Sequence, residues 1–180
     1  MTNKLVFAGF GGQGVLFLGY LVALTAMRLG KNVTYLPAYG AEMRGGTANC
    51  TVVISDEEIT SPVSATPDYA VILNNPSLLR YMDSVKNGGT LLLNSSLVSS
   101  QVTRKDIRVM QVPGTTLAHE LGEVRSTNMV MAGALAKVCG LPDLAAMLDA
   151  LPETNLGKKA AILELNRKAL TLGAEKVQPV

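Results

Sequence analysis

There is no tryptophan in the 180 residues, and only three phenylalanines, five tyrosines, one histidine and two cysteines. Each scarcity removes a class of function. A nucleic-acid surface needs a basic stripe, and for single strands aromatic rings on which bases stack. A net charge of +2 with scattered basic residues and few aromatics builds neither. The lone His119 with Cys50 and Cys139, which show no C-x-x-C spacing, excludes a histidine-rich metal site or a zinc cluster within the chain. One cysteine falls in an expected strand and the other at an expected helix end. Both read as small buried hydrophobes and not as redox centres. Charge is sparse as well: 17% of residues are Asp, Glu, Lys or Arg, against about a quarter in ordinary soluble domains, and mean hydropathy is positive. That deficit hints at surface buried against a partner.

Residues 5 to 27 carry no charge at all, yet five glycines interrupt them. The unbroken portion falls short of the ~18–20 residues a membrane span requires. A signal sequence would discard the most organised motif in the protein. The expectation is a cytoplasmic chain with no membrane or nucleic-acid partner, folded as a single domain over residues 1–180.

What is present begins with Gly9-Phe10-Gly11-Gly12-Gln13-Gly14. It follows a buried-strand pattern, Leu5-Val6-Phe7-Ala8, and precedes a helical pattern from Val15 to Leu29. Strand, glycine turn and helix is the context in which G-x-G-x-x-G carries meaning. Glycines allow φ > 0 and let a phosphate approach bare backbone. The unpaired amides of the following helix start favour an anion. On pattern alone, phosphate binding and a turn that merely packs helix on strand both stay open. A dinucleotide domain would also end its second strand near an Asp or Glu that holds the ribose. Here Val33-Thr34-Tyr35-Leu36 runs into Pro37-Ala38-Tyr39-Gly40, with no carboxylate before Glu42. NAD is therefore not expected.

A second unusual loop, Tyr39-Gly40-Ala41-Glu42-Met43-Arg44-Gly45-Gly46-Thr47, joins two strands. It either meets a ligand backbone-first, with the planar guanidinium of Arg44 as a fork, or is a glycine-rich hairpin turn with a solvated Arg. Further strands are expected at 48–54, 69–73, 90–93 and 107–110. Helices are expected at 78–85, 115–121, 129–139 (capped by Ser126, Thr127 or Asn128), from Leu141-Pro142 through Leu151, and at 157–172. Short apolar strands alternating with helices predict an α/β, Rossmann-like fold. Its mainly parallel sheet is covered by helices on both faces and followed by a helical C-terminal segment.

Together these residues are more specific than either loop. G-x-G-G-Q-G after the first strand, Y-G-A-E-M-R-G-G-T before the third and Ser61-Pro62 occur in one order. Asn74 and Asn94-Ser95-Ser96-Leu97 follow. The chain resembles the gamma subunit of the 2-oxoacid:ferredoxin oxidoreductases, most strongly over residues 5–97. Among the branches it is most similar to the 2-oxoglutarate enzyme (2-oxoglutarate synthase). The pyruvate, branched-chain and indolepyruvate branches share the G-G-Q-G core.

The resemblance implies a multi-subunit oxidoreductase that decarboxylates a 2-oxoacid, reduces ferredoxin and passes the acyl group to coenzyme A. Thiamine diphosphate, Mg and iron–sulfur clusters are expected on partner alpha, beta and possibly delta (ferredoxin-like) subunits, and none on this chain alone. Coenzyme A is expected to be shared with those partners. Carried over residue by residue, the loops facing its entrance are Gly9, Gly11, Gly12, Gln13 and Gly14, with Arg44, Gly45, Gly46 and Thr47. No catalytic residue and no metal ligand is assigned here, and the isolated chain is expected to be inactive. A purely structural scaffold subunit and a stand-alone nucleotide-binding module are the competing readings.

Overall fold

The computed structural model describes residues 1–39, 46–155 and 159–180. Seven strands form one sheet: β1 (Thr2–Phe10), β2 (Asn32–Tyr39), β3 (Thr47–Ser55), β4 (Tyr69–Ile72), β5 (Thr90–Asn94), β6 (Arg108–Val112) and β7 (Gln178–Pro179). The helices are α1 (Val15–Arg28), α2 (Asn75–Tyr81), α3 (Gly114–Glu120), α4 (Thr127–Cys139), α5 (Leu144–Ala150) and α6 (Ala160–Lys176). The spatial order is β2-β3-β1-β4-β5-β6-β7. Strands β1, β4, β5 and β6 run parallel to one another, as the alternating pattern predicts.

One feature of the topology departs from a plain doubly wound sheet. Strand β3 is antiparallel to both β1 and β2 and lies between them. Its pairing with β2 returns the chain beside β1, so the end of β1 lies next to the start of β3 (Gly9 opposite Ala48, Phe10 opposite Thr47). This is why two motifs 25 residues apart at their nearest ends, Gly14 and Tyr39, meet in space. It also moves β2 away from β1, so the end of β2 no longer flanks the glycine turn as it would in a dinucleotide fold.

Alternation along the strands divides the core. Leu5, Phe7, Val71, Leu73 and Leu92 face α1, α4 and α6, whereas Val6, Ala8, Ala70, Ile72, Leu91 and Leu93 face Leu78 of α2 and the connections Val85 and Val98. One face therefore carries most of the helical mass. Helix α4 is its centre, with every residue from Thr127 to Ala136 buried. It crosses α6 at glycines on both sides: a Cβ on Gly133 would strike the Leu170 carbonyl, and one on Gly173 the Val130 carbonyl.

Helix boundaries shift where local hydrogen bonds decide them. The helix expected at 78–85 begins at Asn75, because Asn74 Oδ1 accepts the Ser77 amide at 2.9 Å, and its last turn tightens into a 3₁₀ turn at Met82–Ser84. The cap expected for α4 does not form. Ser126 stands at that position, but its hydroxyl donates back to the Glu123 carbonyl at 2.6 Å. The last helix begins at Ala160 and runs to Lys176, and the expected start at Gly157 lies outside the described residues. The short β7, antiparallel to β6, has no counterpart in the sequence reading.

Candidate functional site

The connection from β1 changes sequence direction across the sheet: β1 leads through α1 toward β2 and β3, while β4, β5 and β6 lie on its other side. Such switch points leave a crevice at the carboxyl ends of the strands. The Gly9–Gly14 loop occupies that position. A cavity of about 480 Å³ opens there, and its lining includes Gly11, Gly12, Gly14, Gly46 and Thr47. Five of the expected site residues are thus brought together. The Gly11 amide donates to the Gly46 carbonyl at 2.9 Å, fastening one loop to the other.

Gly9 and Gln13 are not in the lining of that cavity, although Gln13 lines a smaller one beside Gly12. The Gln13 side chain folds back behind the loop, where its Oε1 accepts the Phe10 amide at 2.6 Å and Asn74 Nδ2 at 3.2 Å. A Cβ on Gly9 would lie 2.6 Å from that oxygen and 2.8 Å from Val15 Cγ2. Gly9 is therefore the space that Gln13 needs, and Gln13 braces the turn. Gly12 (φ +98°) and Gly14 (φ +72°) adopt the left-handed conformation. Arg44 and Gly45 lie outside the described residues.

Helix α1 starts directly at the cavity. Gly14 stands at its N-cap without a side-chain cap, and its carbonyl accepts the Leu18 amide at 2.9 Å. Among the described residues, the amides of Val15, Leu16 and Phe17 have no acceptor. These three donors carry the positive end of a 14-residue helix dipole. No acidic residue lies in that first turn. The remaining wall is apolar: Phe10, Val15, Leu16, Phe17 and Ala48. The arrangement can receive an anionic group at the amides and an apolar arm beside it.

Several supporting residues had been given no site role from the sequence. Asn128 of α4 donates to the Gly14 carbonyl at 3.3 Å and fills the space beside Gly14. Asn94 at the end of β5 joins Thr115 Oγ1 at 3.0 Å and accepts the Thr115 amide at 3.3 Å. A smaller cavity of about 150 Å³ adjoins through Gly12 and is lined also by Thr115, Thr127 and exposed Arg125. Among the described residues Arg125 has no ion-pair partner. Asparagines just past strand ends were a readable signal; Arg125 was not, because only the fold carries it to this edge.

Neither cysteine joins the site as a nucleophile. Burial pushes the Cys50 thiol up to about 12, and its Sγ lies 3.7 Å from the Val15 carbonyl. Burial raises Cys139 also, against the Leu141 carbonyl at 3.2 Å. Among the described residues no group of three or more His, Cys, Asp or Glu side chains could hold a metal ion, and no helix is long and apolar enough to cross a membrane.

Comparison with known proteins gives a consistent result. The family model described as pyruvate ferredoxin/flavodoxin oxidoreductase matches residues 4–176. The chain is 41% identical over 170 residues to the ketoisovalerate oxidoreductase subunit VorA of Methanothermobacter thermautotrophicus, covering 93% of this chain but 35% of that protein. It thus spans about a third of that relative's length. It is 37% identical over 158 residues to the 2-oxoglutarate synthase subunit KorC of Methanothermobacter marburgensis, covering 84% of this chain and 85% of KorC. Among solved structures, a keto/oxoacid ferredoxin oxidoreductase gamma subunit from Geobacter sulfurreducens superposes with a TM-score of 0.84 at 28% identity, over 98% of this chain and 96% of that one. The 2-oxoglutarate:ferredoxin oxidoreductase from Magnetococcus marinus gives a TM-score of 0.88 over 97% of this chain and 30% of that one; at 23% identity this likeness bears on the fold alone. With the family model spanning residues 4–176 and KorC aligning over 84% of this chain and 85% of its own length, this chain belongs to the pyruvate ferredoxin/flavodoxin oxidoreductase family and resembles its gamma subunits.

Proposed function

We propose that the chain is the gamma subunit of a thiamine diphosphate-dependent 2-oxoacid:ferredoxin oxidoreductase and helps to form its coenzyme A site. The observation that carries this reading is the meeting of the two glycine-bearing loops over the open start of α1. Coenzyme A brings phosphates and a long, largely uncharged arm. Unpaired amides at a helix start suit the first, and a wall of Phe10, Leu16 and Phe17 suits the second. Arg44 adds a cation from the second loop. Thiamine diphosphate, Mg and the iron–sulfur clusters belong on partner alpha, beta and delta subunits, which also hand electrons to ferredoxin. The complex works in the cytoplasm.

The preferred substrate is 2-oxoglutarate, converted to succinyl-CoA with release of CO2. KorC, 85% of which is covered by this chain, supports it. The VorA identity favours a branched-chain 2-oxoacid as second reading. A relative from Thermococcus kodakarensis is named a common gamma subunit of pyruvate and ketoisovalerate oxidoreductases, which fits substrate choice being made by other chains. A scaffold role draws support from exposed Phe10, Leu97 and Val124 around the same edge, an apolar rim suited to a partner chain.

The test is turnover and coenzyme A titration in the assembled complex. A panel of 2-oxoacids with a viologen acceptor should give the highest kcat/KM for 2-oxoglutarate, and the purified chain alone should give none. Saturable binding of coenzyme A that is weakened by changes in either loop supports the site. Unchanged binding in assembled loop variants favours the scaffold.

A further inference from the structure

The sheet face turned away from α1 carries a second cavity, of about 280 Å³, roofed by the segment 61–67 and by α2. Alternation along β3 explains why it is separate from the glycine-loop cavity. Ala48 lines the first, and its neighbour Asn49 lines the second with Thr51. The Ser61-Pro62 step opens the loop that closes over it. Ser61 Oγ accepts the Val63 amide at 3.3 Å, a local bend that precedes Ser64 at the cavity wall.

Of the polar groups in the lining, Ser84 Oγ already donates to the Tyr81 carbonyl at 2.8 Å, while others stand without partners. Ser64 Oγ is buried and makes no hydrogen bond, an arrangement that costs stability unless something fills it. Among the described residues, the side chains of Asn49 and Thr51 have no hydrogen-bond partner, and the exposed Arg80 has no ion-pair partner. The Arg80 guanidinium lies 5.4 Å from the centre of the Tyr81 ring, whose face holds it at the wall. Burial raises the Tyr81 phenol, so it remains a protonated donor at neutral pH. No Asp or Glu lines the cavity. A cation, a phenol, an amide and three hydroxyls, of which only Ser84 is engaged, line one cavity without a counter-charge.

We propose that this cavity binds a small oxyanion, the phosphate or carboxylate group of a small molecule, through Arg80, Ser64, Asn49 and Thr51. It does not depend on the coenzyme A reading, because it uses the opposite face of β3 and none of the glycine-loop residues. Its size, near the lower end of ligand pockets, leaves room for an anionic group and a short chain.

The test is amide NMR of the full-length, isotope-labelled chain titrated with inorganic phosphate and, separately, with citrate. Saturable shifts at Ser64, Arg80 and Tyr81 are expected with one or both probes, and the stronger probe identifies phosphate or carboxylate as the natural group. Arg80→Gln, on an exposed helix position, should weaken that binding about tenfold or more, and Ser64→Ala by a few-fold. Shifts at Gly11 to Phe17 report the other cavity and should persist in both variants. Absence of saturable shifts at Ser64, Arg80 and Tyr81 with either probe, or equal binding by Arg80→Gln, overturns the proposal. The cavity would then be a seat for water or for a partner's side chain.

Discussion

Glycine does opposite work in two regions of this molecule. At Gly133 and Gly173 it lets α4 and α6 touch backbone to backbone, and nothing else fits. At Gly12, φ is +98° and nothing lies within 4 Å of where a Cβ would stand. The α4–α6 pair closes space, and Gly12 leaves it open. Gly14 lies between these cases, left-handed at φ +72° but with Asn128 pressed against it. A residue type thus reports a backbone requirement, and only the neighbours reveal whether that requirement serves packing or access.

The largest expected effect breaks the first region. Gly133→Ala or Gly173→Ala drives a methyl into a carbonyl that belongs to a packed helix and cannot step aside. Each should cost about 3 kcal/mol or more, lowering Tm by about 10 °C in thermal melts of the chain. Gly14→Ala should cost about 2 kcal/mol, since left-handed backbone strain adds to displacement of Asn128. Gly12→Ala meets strain alone and should cost about 1 kcal/mol. If Gly12→Ala proves as damaging as Gly133→Ala, the distinction between open and closed glycines fails.

These differences mark what could be read in advance. The β1 turn and α1 were legible because apolar runs of different period flank a glycine cluster. Strands β4, β5 and β6 were legible as short apolar runs. The meeting of the two loops was implied by the family resemblance but not by the local pattern, since it depends on β3 inserting antiparallel between β1 and β2. A hairpin was one of the two readings of the 39–47 stretch, yet nothing local says which strand β3 pairs with on its other side. Gln13 illustrates the same limit. Its presence in the motif suggested ligand contact but did not reveal that its oxygen accepts from Phe10 and Asn74. Arg125 and Asn128 reach the site from over a hundred residues away through α4 and the turn before it. The cap of α4 was misread because Ser126 had a nearer acceptor, the Glu123 carbonyl.

A smaller effect concerns the brace behind the open loop. Asn74→Ala removes both the cap of α2 and the Gln13 contact, and should lower stability by about 1 kcal/mol. It should also broaden the Gly11–Gly14 amide signals in NMR spectra, whereas a cap lost elsewhere would leave them sharp.

The smallest effect lies far from both glycine regions and serves as a control. The hydrogen bond from Lys31 at 2.5 Å holds the exposed Asp56 carboxyl down to about 2 from its ordinary 3.8. A depressed carboxylate stabilises the fold above its ordinary pKa and loses that contribution as pH falls through the lowered one. The Tm gap between the native chain and Asp56→Asn should therefore be constant at neutral pH and close between about pH 4 and 2. A gap that persists below that window would assign the effect to packing instead.

The central claim is that the open loop and its neighbour across β3 hold a phosphate of coenzyme A. The most direct measurement is the coenzyme A KM of the assembled oxidoreductase carrying Arg44→Ala, with assembly checked by size-exclusion chromatography. Loss of one charge-assisted hydrogen bond, about 1.5–3 kcal/mol, should raise that KM by about ten- to a hundredfold. Decarboxylation of the 2-oxoacid without coenzyme A should stay nearly unchanged. A normally assembled variant whose coenzyme A KM does not move would contradict the account and return both loops to a scaffold role.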